Sequence, residues 1–396
     1  MRSLTSPLSI FLIFLRLGLT SFGGPIAHLG YFRNEFVTRR KWLDEKSFAD
    51  LVALCQFLPG PASSQTGFAI GLSRGGLRGG LAAWVGFTLP SAIALIIFAQ
   101  FSSAMGGELG TSILHGLKIV AVAVVAQAVW GMARTLCPDR QRATIALLAL
   151  LIVTALSGSS GQLAAIAFGA LVGLVFCGNK GNMPAEKLSF PVSRPVGLFA
   201  LLLFSLLLIG LPAASKLLPN HALEVISAFY RSGALVFGGG HVVLPLLQAE
   251  IVQTGWLDNN IFLVGYGAAQ AVPGPLFTFA AYLGAVLNPL SNPIVGAIAC
   301  LVAIFVPGML LLVGTLPFWD KFRRMAKAQA AMQGTNAAVV GLLGAALYSP
   351  LWTSTISTVP DFALALINFV LLTVWKAPPW LIVILSALSA IILSKI

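Results

Sequence analysis

The chain has 396 residues, of which 58% are hydrophobic and only 9% charged, and its mean hydropathy is +0.92. A soluble domain carries about 25% charged residues, so the composition excludes one and points to an integral membrane protein. The formal net charge of +12 sits in short loops between apolar stretches; cytoplasmic loops of membrane proteins are basic in this way, so the lipid bilayer is the expected partner and nucleic acid is not.

Apolar stretches at 8–32, 79–101, 113–136, 195–214, 293–315 and 380–396 are expected to cross the hydrocarbon core, which takes roughly 20 residues. The first is not a cleavable signal, because it carries Arg16 and continues without a small-residue cleavage site. It holds the first motif, Arg16-Leu17-Gly18-Leu19-Thr20-Ser21-Phe22-Gly23-Gly24. Next come a basic loop with Trp42-Leu43-Asp44 and an apolar segment broken at Gln56-Phe57-Leu58-Pro59-Gly60-Pro61. Four more helices follow, the first containing Pro90. Residues 178–194 read as a polar linker, and 195–214 has no counterpart in the first half.

About 215 residues after each motif, the motif returns. Arg231-Ser232-Gly233-Ala234-Leu235-Val236-Phe237-Gly238-Gly239 repeats R-x-G-x-x-x-F-G-G, Trp256-Leu257-Asp258 repeats W-L-D, and Gln270-Ala271-Val272-Pro273-Gly274-Pro275 repeats Q-x-x-P-G-P. Glu35 pairs with Glu250, and Pro90 with Pro307. One unit has been used twice. The expected organisation is a first repeat over 1–177, a linker with the unpaired segment over 178–224, and a second repeat over 225–396. Loop charges exchange between the halves: 33–46 holds Arg33, Arg39, Arg40, Lys41 and Lys46 while 249–260 holds no Lys or Arg, and 102–112 holds none while 316–330 holds Lys321, Arg323, Arg324 and Lys327. The positive-inside rule then predicts an all-α membrane protein of two inverted-topology repeats, about five to six helices each, with broken or re-entrant half-helices at Pro-Gly-Pro.

An arginine deep in an apolar helix costs about 2.5–3.5 kcal/mol on insertion scales, so a pair of them at matched places calls for a reason. Arg16, Thr20 and Gly23/Gly24 fall on one helix face, and Arg231, Gly238 and Gly239 repeat that stripe. A helix restarting after Pro-Gly-Pro would aim free N–H groups and a positive dipole end toward mid-membrane, where an anion can bind. In the first repeat it opens with Ser63, Ser64, Gln65 and Thr66; in the second, with the less polar Leu276, Phe277, Thr278 and Phe279, so repeat one is expected to supply more of the polar contacts. The substrate-site candidates are therefore Arg16, Thr20, Gly23, Gly24, Pro59, Gly60, Pro61, Ser63, Ser64, Gln65, Thr66, Arg231, Gly238, Gly239, Pro273, Gly274 and Pro275. Glu35 and Glu250 are candidates for proton coupling or for solvated loop positions. Cys55, Cys137, Cys177 and Cys300 and the four histidines are dispersed, without metal or redox spacing, and no phosphate-binding loop is present. No enzyme activity, metal or cofactor is expected.

These motifs together resemble the chromate ion transporter family, in its long two-domain form. The resemblance covers nearly the whole chain and implies efflux of chromate, a tetrahedral dianion, from the bacterial inner membrane, driven by the membrane potential or a proton gradient and giving chromate resistance. Sulfate has similar shape and charge, so sulfate or general oxyanion uptake remains an alternative, as does an anion channel. A homodimer is compatible with the sequence. The second repeat departs from the pattern at Gly240-His241, where the first has Pro25-Ile26.

Overall fold

The computed structural model describes residues 5–102, 107–156, 158–178, 190–322 and 325–393, and these hold helices and no strand. The first half comprises α1 (Pro7–Thr20), α2 (Gly24–Arg33) continued by a π-helical turn (Asn34–Arg39), α3 (Glu45–Phe57), α4 (Ala62–Ser102), α5 (Gly107–Leu136), α6 (Arg140–Ala155) and α7 (Ser159–Phe176). After α8 (Arg194–Leu217) the order recurs. It runs through α9 (His221–Ala234), a 3-10 turn and α10 (Val243–Ile251), α11 (Asn259–Ala269), a 3-10 turn and α12 (Phe279–Leu287), and α13 (Pro293–Thr315). The short α14 (Trp319–Phe322), α15 (Ala326–Ala346), the short α16 (Thr353–Thr355), α17 (Val359–Thr373) and α18 (Pro379–Leu393) complete it. Among the described residues six helices are long and apolar enough to cross a membrane. The chain is an all-α, multi-pass membrane protein.

The stretch 8–32 is not the single crossing its composition suggests. Gly23 and Gly24 take φ of +102° and +76°, which only glycine adopts freely, and the chain turns back on itself there. As a result the Phe14 ring stacks on Phe36 at 5.0 Å and meets Phe32 edge-on at 5.7 Å. In one straight helix residues 14 and 36 would lie about 33 Å apart. So α1 and α2 form a helical hairpin whose apex is Ser21–Gly23.

Three more hairpins are built alike. α3 and the start of α4 meet at Pro59-Gly60-Pro61, and their far ends close where the Arg74 guanidinium lies 4.9 Å over the Trp42 ring. α9 and α10 turn at Phe237-Gly238-Gly239, with His221 and Trp256 rings 5.1 Å apart at the open end. α11 and α12 turn at Pro273-Gly274-Pro275, fixed by Phe262 against Phe279 and by Tyr282 donating to the Ile261 carbonyl. The aspartate of each Trp-Leu-Asp starts the second hairpin of its half: Asp44 accepts from the Ser47 amide and Asp258 from the Asn260 amide.

α4 also reverses. Gly75 and Gly76 leave the helical region, and a Cβ on Gly71 would sit 2.3 Å from the Gly79 carbonyl oxygen. Small residues let the two arms touch backbone to backbone. α12 and α13 repeat this contact through Gly284 and Gly296. Beyond the hairpins the halves interleave: α7 packs on α15 through Gly169, Gly173 and Gly334, and α5 packs on α18 at Gly116. The expected linker falls largely at 179–189, outside the described residues, and the unpaired 195–214 lies within α8, whose buried residues are Gly197 and Ala200.

Candidate functional site

The four hairpin apexes meet crosswise. The Gly60 amide donates to the Val236 carbonyl at 2.7 Å, and the Gly274 amide donates to the Ser21 carbonyl at 2.9 Å. Each Pro-Gly-Pro apex is thus tied to the Phe-Gly-Gly apex of the other half. The second layer matches as well. A Cβ on Gly60 would lie 3.1 Å from Gly308 Cα, and one on Gly274 would lie 2.9 Å from Ser91 Oγ, the residues that follow the paired Pro307 and Pro90. Close approach, with φ of +120° at Gly60 and +101° at Gly274, explains why glycine stands at both positions.

One of these junctions is open. A cavity of about 480 Å³ is bounded by Phe22, Gly23 and Gly24 from the first half and by Gln270 and Gly274 from the second. The α17–α18 turn closes another side with Lys376 and Trp380. A Cβ on Gly24 would meet nothing within 4 Å, whereas one on its counterpart Gly239 would lie 3.8 Å from Met132 Sδ, and one on the neighbouring Gly238 3.2 Å from Leu136 Cδ1. The equivalent space in the other half is filled by α5.

A second pocket of about 150 Å³ is lined by Arg16, Thr20, Asn34, Glu35 and Arg40. Tyr31 lines both it and the larger cavity, so the two adjoin. Thr20 Oγ1 donates to the Arg16 carbonyl at 2.9 Å. Among the described residues the Arg16 guanidinium has no ion-pair or hydrogen-bond partner. Glu35 is taken up by Arg40 at 2.6 Å and Arg39 at 3.0 Å. Burial pushes the Glu35 carboxyl up, but hydrogen bonds from Arg40 and Arg39 outweigh it and hold the group below the ordinary carboxylate range.

The matched residues of the second half behave otherwise. Arg231 is paired with Glu250, and Glu250 is a buried residue of α10 instead of a solvated loop residue. Burial at the helix end follows from the α9–α10 hairpin, which brings residue 250 back beside residue 231.

The structure brings Arg16 and Thr20 together, and Gly23, Gly24 and Gly274 together. It does not bring the first-repeat donors to either cavity. Ser63, Ser64, Gln65 and Thr66 are buried. Gln65 Nε2 donates to the Pro59 and Gly308 carbonyls, Thr66 Oγ1 to the Ala62 carbonyl, and Ser63 lies 3.4 Å from His28 Nδ1. Pro59, Gly60 and Pro61 pack at the closed junction; Gly238 and Gly239 face Met132, and Pro273 and Pro275 flank the cavity glycine. Lys376 and His241 line the cavity without having stood out in the sequence. Lys376 has no repeat partner to mark it, and His241 sits where the second motif departs from the first.

The duplicated motifs, now seen as reciprocal apexes, match one known family twice, over residues 8–174 and 223–391. The chain belongs to the chromate transporter family. Among its relatives, a probable chromate transport protein of Synechococcus elongatus is 26% identical over 96% of this chain and 93% of its own length. A chromate transport protein of Pseudomonas aeruginosa is 28% identical over 85% of this chain and 79% of its own. An uncharacterized transporter of Methanocaldococcus jannaschii is 28% identical over 86% of this chain and 84% of its own. No solved structure matches the chain. Members of this family are transport proteins, not enzymes.

Proposed function

We propose that the chain exports chromate, the ion being held at the junction of the Phe22-Gly23-Gly24 and Gln270–Pro275 apexes after passing Arg16. The observation that carries this reading is the Arg16 guanidinium, without a partner among the described residues, in a pocket adjoining the open apex cavity. A fixed cation is worth most where a dianion must leave bulk water. The membrane potential supports the direction: with the interior negative, a dianion gains about 4.6 kcal/mol per 100 mV on leaving. Glu35 and Glu250 are both ion-paired, which supports the potential over proton coupling through either.

The two repeats are proposed to be inverted in the membrane. Each hairpin turns back at its apex, where the Pro-Gly-Pro and Phe-Gly-Gly turns of the two halves bond to one another inside the protein, so its two arms enter and leave on one side. Hairpins that return to the side they left add no crossings. Each half then crosses four times: the second part of α4 with α5, α6 and α7, and α13 with α15, α17 and α18. α8 supplies the odd crossing that sets the halves opposite. The open cavity adjoins the Arg40 pocket beside the basic loop 33–46, the cytoplasmic end by the positive-inside rule. Closing it while opening the filled junction at Gly238 and Met132 would release the ion outside, and exporting chromate would confer resistance to it. The test is flux of radiolabelled chromate and sulfate in proteoliposomes under imposed potentials and pH gradients. Chromate movement toward the positive side without a pH gradient is expected; movement only with a pH gradient, or only of sulfate inward, would replace this reading.

A further inference from the structure

We propose that Lys376 forms a second, inner subsite for the transported oxyanion, and that the ion passes to it from Arg16 along the face of Tyr31. This rests on the oxyanion-transport reading above and adds a residue to its site. Lys376 is the one lysine or arginine among the described residues lining the larger cavity. Its backbone is held there by the turn. α17 ends at Thr373, Lys376 takes a left-handed φ of +53°, and the Ala377 amide donates back to the Leu371 carbonyl at 3.0 Å, which fixes the turn before α18. Trp380, at the start of α18, sets its ring 6.2 Å from Phe22 of the apex, so the turn faces Gly23 and Gly24. Among the described residues the Lys376 ammonium has no hydrogen-bond or ion-pair partner, as with Arg16.

The α6–α7 turn, its counterpart in sequence, carries no basic residue and lies beside Gln253, while the space at the Gly238 apex is filled by Met132 and Leu136 of α5. Two fixed cations on adjoining cavities also suit transport. Each is exposed enough to release its ion, and a strong single site would hold it. The ammonium is a point charge that can follow an ion without a fixed orientation, while the Arg16 fork selects planar oxygen pairs.

The experiment uses the full chain in proteoliposomes with chromate as the probe, wild type measured alongside. Lys376→Gln should raise the half-saturating chromate concentration roughly tenfold or more, the loss of one charge-assisted contact, with the maximal rate largely kept. Lys376→Arg should stay near wild type. In a background without the native cysteines, Lys376→Cys should show the same weakened affinity. It should recover when the thiol is modified with an ammonium-bearing thiosulfonate and not with a sulfonate-bearing one, and chromate should slow that modification. An unchanged half-saturation in Lys376→Gln, or a thiol that chromate does not protect and whose charge does not matter, overturns the proposal. This holds even if Lys376→Gln inserts poorly, since the charge-restoration comparison is made within one inserted protein. A wild type that moves no chromate or sulfate fails the transport reading itself, which is a separate result.

Discussion

Arg231 closes on the buried carboxylate of Glu250, while its repeat partner Arg16 points into a pocket where Glu35 is already held by Arg39 and Arg40. One sequence motif thus yields a neutralised cation in the second half and an available one in the first. Duplicated sites that specialise in this way keep the scaffold of both repeats and the chemistry of one.

Arg16→Ala should abolish chromate flux without loss of membrane insertion, because the dianion loses its fixed counter-charge. Arg16→Lys should recover only part of it, lacking the fork that engages two oxygens. Normal flux in a well-inserted Arg16→Ala protein would remove Arg16 from the site.

Arg231→Ala should act through stability. It strands the Glu250 carboxylate, and breaking a buried pair costs about 3–5 kcal/mol, with the low end expected here because the Arg231 side chain keeps 35% of its exposure. Arg231→Ala/Glu250→Ala should regain thermal stability and much of the flux. A double variant that is stable but transports nothing would show that Arg231 serves the substrate.

How much of this was legible in sequence follows from what each residue does locally. Gly23, Gly60, Gly238 and Gly274 announced backbone breaks, because a positive φ is a property of the residue itself. Their consequence is hidden at 8–32, since a hairpin and a single crossing have the same apolar composition. The crosswise bonds Gly60–Val236 and Gly274–Ser21 join segments far apart in the chain, and no local pattern encodes them. The same holds for Glu250, which reaches Arg231 only through the α9–α10 turn, and for the burial of Ser63 to Thr66, whose donors look available until α2 and, at Gln65, α13 of the other half pack over them.

The Glu35 carboxyl lies below its ordinary range, so it is charged throughout neutral pH. Its ion pairs contribute stability that is present above the unfolded value and lost as the pH falls through the lowered folded value. Glu35→Gln should lower thermal stability at pH 7 by about 1 kcal/mol or less, the exposed arginines screening the rest. The ratio of variant to wild-type flux should stay constant from about pH 6 to 8. A ratio that changes severalfold across that range would make Glu35 a proton carrier.

The orientation of the halves can be read from Lys46, in the first turn of α3, and Gln253, in the loop after the third hairpin, both exposed. In a chain without its four cysteines, Lys46→Cys and Gln253→Cys should each react with an impermeant thiol reagent, from opposite faces of the membrane. Gln253 sits near Gly158 of the α6–α7 turn, so that turn belongs to the same face as Gln253. Reaction of both sites from one face would mean that α8 does not complete its crossing, and the repeats would then be parallel despite their exchanged loop charges.

The apex glycines differ in what a side chain would do. Gly274→Leu should displace the apex that borders the open cavity, since its Cβ would press on Ser91 Oγ and the Phe87 carbonyl behind it and the residue lines the space where the ion is proposed to sit. Gly60→Leu strikes Gln65 and Gly308 at a junction already closed, so its cost should fall on folding and on the opposite conformation. Chromate should protect wild type against thermal unfolding by mass action. That protection should vanish in Gly274→Leu and persist in the fraction of Gly60→Leu that folds, with flux lost in both. Loss of protection in Gly60→Leu alone would place the ion at the first-repeat Pro-Gly-Pro, among Ser63, Ser64, Gln65 and Thr66, and would mean that those buried donors open to it in a conformation other than this one.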